Sequence, residues 1–237
     1  MPPRWLLPLA VAGLCLSVAA RAAVLTGTSL SIDDLCAKRV VITPDPSLKG
    51  RVSLDLAAAN PQELTSVTLG SGNGEARITG HFCAHGLSDD RKPTLLATIL
   101  VPPGMALHVT ESTVGDYRIG AVGGPMVLRL SGANAVSVAA AAGPVDLSSS
   151  GSGAISIDHI EGDLDADLSG SSALSVGAGE IGHAHLDLSG VGQASIGAIV
   201  REGWFDVSGV GSISLAHPVG VVHRREISGV GRITIAP

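Results

Sequence analysis

The 237-residue chain predicts an all-β fold built around a parallel β-solenoid, and three observations carry that prediction. The first is a clock. Serine followed by glycine recurs with the serines at 131, 150, 169, 189, 208 and 228, at spacings of 19, 19, 20, 19 and 20 residues. A fixed period near twenty marks one supersecondary unit copied along an axis, each copy burying its apolar face against its neighbours. The second is the order of residues after each serine. Five positions on stand Val136, Ile155, Leu174, Ala194, Ile213 and Ile233, and seven positions on stand Val138, Ile157, Val176, Ile196, Leu215 and Ile235. Between them is a hydroxyl column of Ser137, Ser156, Ser175, Ser195, Ser214 and Thr234. Such alternation is the period-two signature of a strand with one buried face. The third is the scarcity of large rings: aromatic residues make up 2% of the chain. The core must therefore be thin and layered from Val, Ile, Leu and Ala.

Taken in order, the chain begins with one basic residue, Arg4, and an uncharged run from Trp5 to Ala20. Ala20-Arg21-Ala22 then has the small-x-small form of a signal-peptidase site, so residues 1–22 read as an export signal cleaved near Ala22. Cys15 follows Leu14, where a lipid-anchor motif needs a small residue, so no anchor is expected. No later run is apolar for long enough to cross a bilayer, and the mature chain is expected to be soluble. Cleavage leaves Cys36 and Cys83, an even count in an oxidising compartment, and a disulfide between them is expected. Closing that loop would stabilise the fold by roughly 4 kcal/mol in the chain-entropy model.

Residues 23–103 show no period and read as an irregular β region. Strand-like runs occur at Val40 to Thr43, Arg51 to Ala57, Ser66 to Gly70, Ala76 to Cys83 and Thr94 to Val101. Pro44-Asp45-Pro46 and Gly72-Asn73-Gly74 mark turns between them. Pro102-Pro103-Gly104 marks the passage to the repeat domain at 104–237.

Within each repeat a second strand precedes the serine. One residue before it stand Leu130, Ser149, Leu168, Leu188, Val207 and Ile227, and three before it Leu128, Leu147, Ala166, Leu186, Phe205 and Arg225. All are apolar except Ser149 and Arg225. The unbroken glycine column after the serine suggests a corner where a backbone angle or a close approach forbids a β-carbon. Ser112-Thr113, with Tyr117 and Ile119 on the two buried columns, reads as a degraded first copy. Seven rungs at strand spacing would stand roughly 30 Å tall. Twenty residues leave no room for a crossover helix. The hydroxyl column is expected to bond along the stack as a ladder.

The copies Leu188-Ser189-Gly190-Val191-Gly192, Val207-Ser208-Gly209-Val210-Gly211 and Ile227-Ser228-Gly229-Val230-Gly231 resemble the head GIN domain family of auto-transporter adhesins. The resemblance covers about Leu107 to Pro237. It implies an exported bacterial protein with a single-stranded parallel β-helix, and it brings no catalytic residues. Nothing in the chain resembles a membrane-barrel translocator.

The formal charge of -6 and the absence of a basic cluster argue against nucleic acid as a partner. The chemistry-bearing residues stand outward before the serine. Asp163, Asp165, Asp167, His183, His185 and Asp187 fall in adjacent rungs on one face. Like charges at strand spacing repel, so a divalent cation could relieve them with imidazole nitrogens as further ligands. The plainer alternative is a hydrated face kept polar against sheet association. The nonapeptide pattern of calcium-binding β-rolls is absent. Paired carboxylates could also serve as general acid and base on a glycan, but sugar-active grooves use aromatic platforms and only Trp204 should face outward. Gly177-Ala178-Gly179-Glu180-Ile181-Gly182 matches a dinucleotide fingerprint by letter, yet no helix can follow it within a rung, so it reads as a turn.

The expected function is a non-enzymatic binding or adhesion module, periplasmic or secreted, presenting polar solenoid faces to an envelope glycan or protein, with no cofactor. The alternatives are a structural envelope component assembling through its ends and a glycan-active enzyme. Arg224, Arg225 and Pro237 look like edge protection, so a monomer is expected.

Overall fold

The computed structural model describes residues 19–81 and 92–237. Most of the expected signal segment, and Cys83, lie outside the described residues. The chain runs β1 (Ala19–Thr26), β2 (Ser29–Asp33), β3 (Arg39–Pro44), β4 (Arg51–Ala58), a short helix α1 (Pro61–Thr65), β5 (Val67–Gly72), β6 (Glu75–Gly80) and β7 (Leu96–Val101). It continues through β8 (Ala106–Glu111), β9 (Val114–Val122), β10 (Met126–Leu130), β11 (Ala133–Ala141), β12 (Val145–Ser149), β13 (Ser152–Leu168) and β14 (Ser171–Leu188). The last five strands are β15 (Val191–Ile196), β16 (Ile199–Val207), β17 (Val210–Leu215), β18 (Val221–Ile227) and β19 (Val230–Ile235).

These strands build two parallel ladders joined at the Ser-Gly corners. The strand before each serine forms face A, through β8, β10, β12, the later halves of β13 and β14, then β16 and β18. The strand after it forms face B, through β9, β11, the earlier halves of β13 and β14, then β15, β17 and β19. The solenoid has about seven turns, as the serine count from Ser112 to Ser228 predicts. The register agrees column by column: Val136 lies beside Ile155, then Leu174, Ala194, Ile213 and Ile233. All six are buried.

The region before the repeats extends these same ladders. β2 pairs in parallel with β8, and β6 pairs with β2 on its other edge, so Ile78 and Ile32 continue the column of Val109 and Leu128 on face A. On face B, β3 pairs with β9 and β7 with β3, which continues the column of Tyr117 through Val40 and Ala97. The layer made later in the chain, β6 with β7, therefore stacks outside β2 with β3. Antiparallel strands close this end: β5 on β6, and β4 then β1 on β7. One hydrophobic core runs unbroken from Leu25 to Ile233. Ala19 to Ala22 are part of β1, paired with Asp55 to Ala58.

Close approach, not backbone angle, explains the glycine column. None of the glycines after the serines has positive φ. A β-carbon on Gly170 would sit 1.9 Å from the carbonyl oxygen of Gly151 in the rung beneath, and Gly151, Gly190, Gly209 and Gly229 are alike within a few tenths of an ångström. The hydrogen-bond ladder passes through this corner: Ser171 N–H donates to Gly151 O at 2.9 Å.

Among the described residues six buried polar side chains interrupt the apolar core: Ser31, Glu63, Glu111, Asn134, Ser149 and Ser172. Ser149, the one hydroxyl in its column, lies 2.7 Å from the hydroxyl of Ser172 in the next rung. Glu111 is fully buried where the β2–β3 layer meets the first repeat. Its carboxylate accepts from Cys36 N–H at 3.1 Å, Tyr117 O–H at 2.7 Å and the Thr113 N–H and hydroxyl. Burial pushes its pKa up, against those donors, which pull it down. Cys36 is itself buried. The outward hydroxyl column does not form the expected ladder: among the described residues only Ser156 in it makes a side-chain hydrogen bond, donated to the carbonyl of Val136 at 3.5 Å. Outward on a flat strand face these hydroxyls reach water more readily than one another.

Candidate functional site

The carboxylates and imidazoles singled out in the sequence share the outer surface of face A. The register places Val127, Asp146, Asp165, His185 and Trp204 side by side in successive rungs. It likewise places Ser148, Asp167, Asp187, Asp206 and Glu226 in a second column. Inward neighbours such as Leu164, Ala166, Leu186 and Phe205 anchor the alternation in the core.

The two 20-residue intervals of the serine clock have a local cause. Between β13 and β14 the register shifts after Gly162, so that Gly182 and His183 together stand opposite Asp163. Between β16 and β18 it shifts after Gly203, and His223 is the additional residue. A bulge re-aims the side chain it carries, and each of these delivers a histidine to face A. His183 lies beside Trp204, ring centroids 6.3 Å apart, and His223 stacks on the other side of the indole at 4.3 Å and 11°. Each imidazole has a carboxylate partner: Asp163 Oδ1 is 3.0 Å from His183 Nδ1, and Glu202 Oε2 is 2.8 Å from His223 Nε2. The Asp163 carboxylate also accepts from the His183 backbone N–H at 2.9 Å, over Gly182, where a β-carbon would lie 2.7 Å from its oxygen.

Of these residues Asp163, His183 and Trp204 line a shallow groove of about 540 Å³. Pro125, Val127 and Pro144 give it an apolar end, Asp146, Asp163 and Asp165 a carboxylate middle, and His183, His185 and Trp204 an aromatic end. Four strand spacings from Val127 to Trp204 make it roughly 19 Å long, along the solenoid axis. Arg129 forms a two-point ion pair with Asp146 at 2.6 and 2.7 Å, and this bond holds the Asp146 carboxyl below its usual range. Asp187 is pushed up by partial burial and by the neighbouring charges of Asp206 and Asp167. Arg224 relieves the far end of that column through Asp206 at 2.8 Å and Glu226 at 2.6 Å.

The six cation-ligand candidates thus lie on one face without surrounding a point. Asp163 is engaged with His183, while Asp165, Asp167 and Asp187 are laid out along and across strands. Among the described residues no group of three or more His, Cys, Asp or Glu side chains is placed to hold a metal ion. What the groove offers is an apolar floor, an indole, and carboxylates and imidazoles able to accept hydrogen bonds. Pro125, Pro144 and His223 join the residues expected from the sequence. The signals were present: Gly124-Pro125 and Gly143-Pro144 recur 19 apart, and His223 sits in a 20-residue interval.

At the C-terminal end the whole of β18 is exposed. Arg225 takes the inward position beneath Phe205 and donates to the carbonyl of Ile233. Among the described residues no helix is long and apolar enough to cross a membrane.

No protein-family model and no curated protein sequence matches the chain. Solved structures do match. A "putative adhesin" from Bacteroides fragilis superposes with a TM-score of 0.68 at 15% identity, covering 93% of this chain and 97% of that one. A "putative lipid binding protein" from Parabacteroides distasonis matches with a TM-score of 0.55 at 13% identity, over 93% and 97% of the two chains. A "putative adhesin" from Parabacteroides merdae matches with a TM-score of 0.54 at 13% identity, over 92% and 96%. At these identities the likeness is one of fold.

Proposed function

We propose that this protein is a non-enzymatic binding module, exported to the periplasm or cell surface, whose face A groove holds an extended glycan chain as an adhesion contact. The observation that carries the reading is the groove itself. It is long, shallow and open along the solenoid axis, with Trp204 at one end, prolines at the other and carboxylate acceptors between. Sugar rings offer apolar faces to aromatic and aliphatic surfaces and hydroxyls to carboxylates, and an open groove suits a polymer better than a small molecule. Two neighbours in fold are described as adhesins, which agrees with this reading. The expected export signal agrees with the compartment.

A glycan array probed with the full chain tests the proposal. Retention of one or more glycans without release of shorter products, lost in Trp204→Ala, supports it. Release of products would replace it with an enzyme, and no retention on any glycan would remove it.

A further inference from the structure

Resting on the glycan reading of the groove, we infer that its ligand is cationic: a polysaccharide whose amino sugars carry free, unacetylated amines. Charge complementarity points to such a ligand. Asp146, Asp163 and Asp165 line the middle of the groove, and Asp167 and Asp187 flank it on the same face. Of these five, Arg129 neutralises Asp146, and His183 bonds Asp163. Asp165, Asp167 and Asp187 have no hydrogen bond or ion pair among the described residues; Arg129 attracts Asp165, and His185 and Arg224 attract Asp187, only from beyond ion-pair distance.

Carboxylates directly opposite one another across parallel strands, as Asp146 and Asp165 are in the groove and Asp167 and Asp187 are beside it, destabilise the free protein. A bound cation removes that cost, so binding should gain from it. An amino sugar places its ammonium on the same ring as its apolar face. That pairing matches a groove in which carboxylates stand one strand spacing from Val127 on one side and from His185, next to Trp204, on the other.

A basic peptide would offer the same charge, but it fits less well. The backbone groups of face A are already spent in the parallel ladder. A peptide crossing the strands would find no main-chain partners for its own N–H and C=O groups. A sugar carries no such obligation.

Calorimetric titration of the full chain with glucosamine oligomers, in buffer containing a chelator, tests the inference. Fully acetylated oligomers and oligolysine of matched length are the comparison ligands. The expected result is binding of the amine form at least tenfold tighter than the acetylated form. Asp165→Asn should lose most of that difference while keeping the wild-type melting temperature, and oligolysine should bind more weakly than the glucosamine oligomer. Equal affinity for amine and acetylated forms would overturn the cationic ligand and leave the glycan reading intact. Oligolysine binding as tightly as the glucosamine oligomer would overturn it in favour of a peptide. Failure of both sugar forms, together with an empty glycan array, would remove the glycan reading itself.

Discussion

Replacing Gly170 with alanine should open the solenoid at its middle corner. The added β-carbon meets the carbonyl oxygen of Gly151 at 1.9 Å and that of Ser150 at 2.5 Å, both backbone atoms that no side-chain rotation can move. The rungs must part locally by about 1.5 Å to restore van der Waals distance. Three hydrogen bonds cross that corner: Ser169 N–H and Gly170 N–H to Ser149 O, and Ser171 N–H to Gly151 O. Losing two of them costs about 2 kcal/mol, and the strain of overpacking adds about 1–3 kcal/mol. A loss of about 3–5 kcal/mol corresponds to a drop in melting temperature of roughly 10–15 °C for a domain of this size. Because a solenoid couples each rung chiefly to its neighbours, hydrogen exchange should quicken most in β13 and β14. Gly104→Ala is the control, since a β-carbon there meets nothing within 4 Å and its φ is not positive. Equal melting of the two variants, with unchanged exchange in β13 and β14, would refute the close-packing account of the glycine column.

Three other perturbations follow from the buried polar groups and the cysteines. Ser149→Ala and Ser172→Ala should each cost about 1–2 kcal/mol by stranding the partner hydroxyl, and the double variant less than their sum, read from denaturant melts. For Glu111 the folded-state pKa stands above the unfolded value. Its favourable contribution is therefore full below the ordinary carboxylate range and is lost as pH rises through the raised value. The stability difference between wild type and Glu111→Gln should fall across that window, and a difference independent of pH would contradict the assignment. For the expected Cys36–Cys83 bridge, thiol alkylation of the exported protein, unfolded in denaturant without reductant, should label neither cysteine, and reduction should lower stability by about 2–5 kcal/mol.

The repeat was legible because each of its constraints recurs locally. Ile155 and Ile157 alternate around Ser156, and Gly151 returns wherever two rungs touch, so both buried columns and the corner could be read at fixed offsets. The N-terminal layers were not legible in the same way. Ile32, Ile42, Ile78 and Ile99 alternate as strand residues should, but nothing local says that β6 and β7 stack outside β2 and β3, because that order is set by contacts remote in sequence. At the candidate site the carboxylates and Trp204 could be placed on one face from the columns alone. The groove could not, since its apolar end comes from Pro125 and Pro144, which mark turns by their residue type. The two long intervals of the clock carried more than their length suggests: each is a bulge, and each bulge sets a histidine beside Trp204.

Trp204 offers the most direct measurement of the binding claim. The chain has two tryptophans, Trp5 and Trp204; the expected cleavage near Ala22 removes Trp5, so in the exported protein the groove indole is the sole tryptophan reporter. Titrated with a glycan that the protein retains, its fluorescence should shift saturably at the concentrations that produce binding heat, and the shift should weaken in Asp165→Asn. Binding heat with no change in Trp204 emission would place the ligand elsewhere and contradict the face A groove as the site.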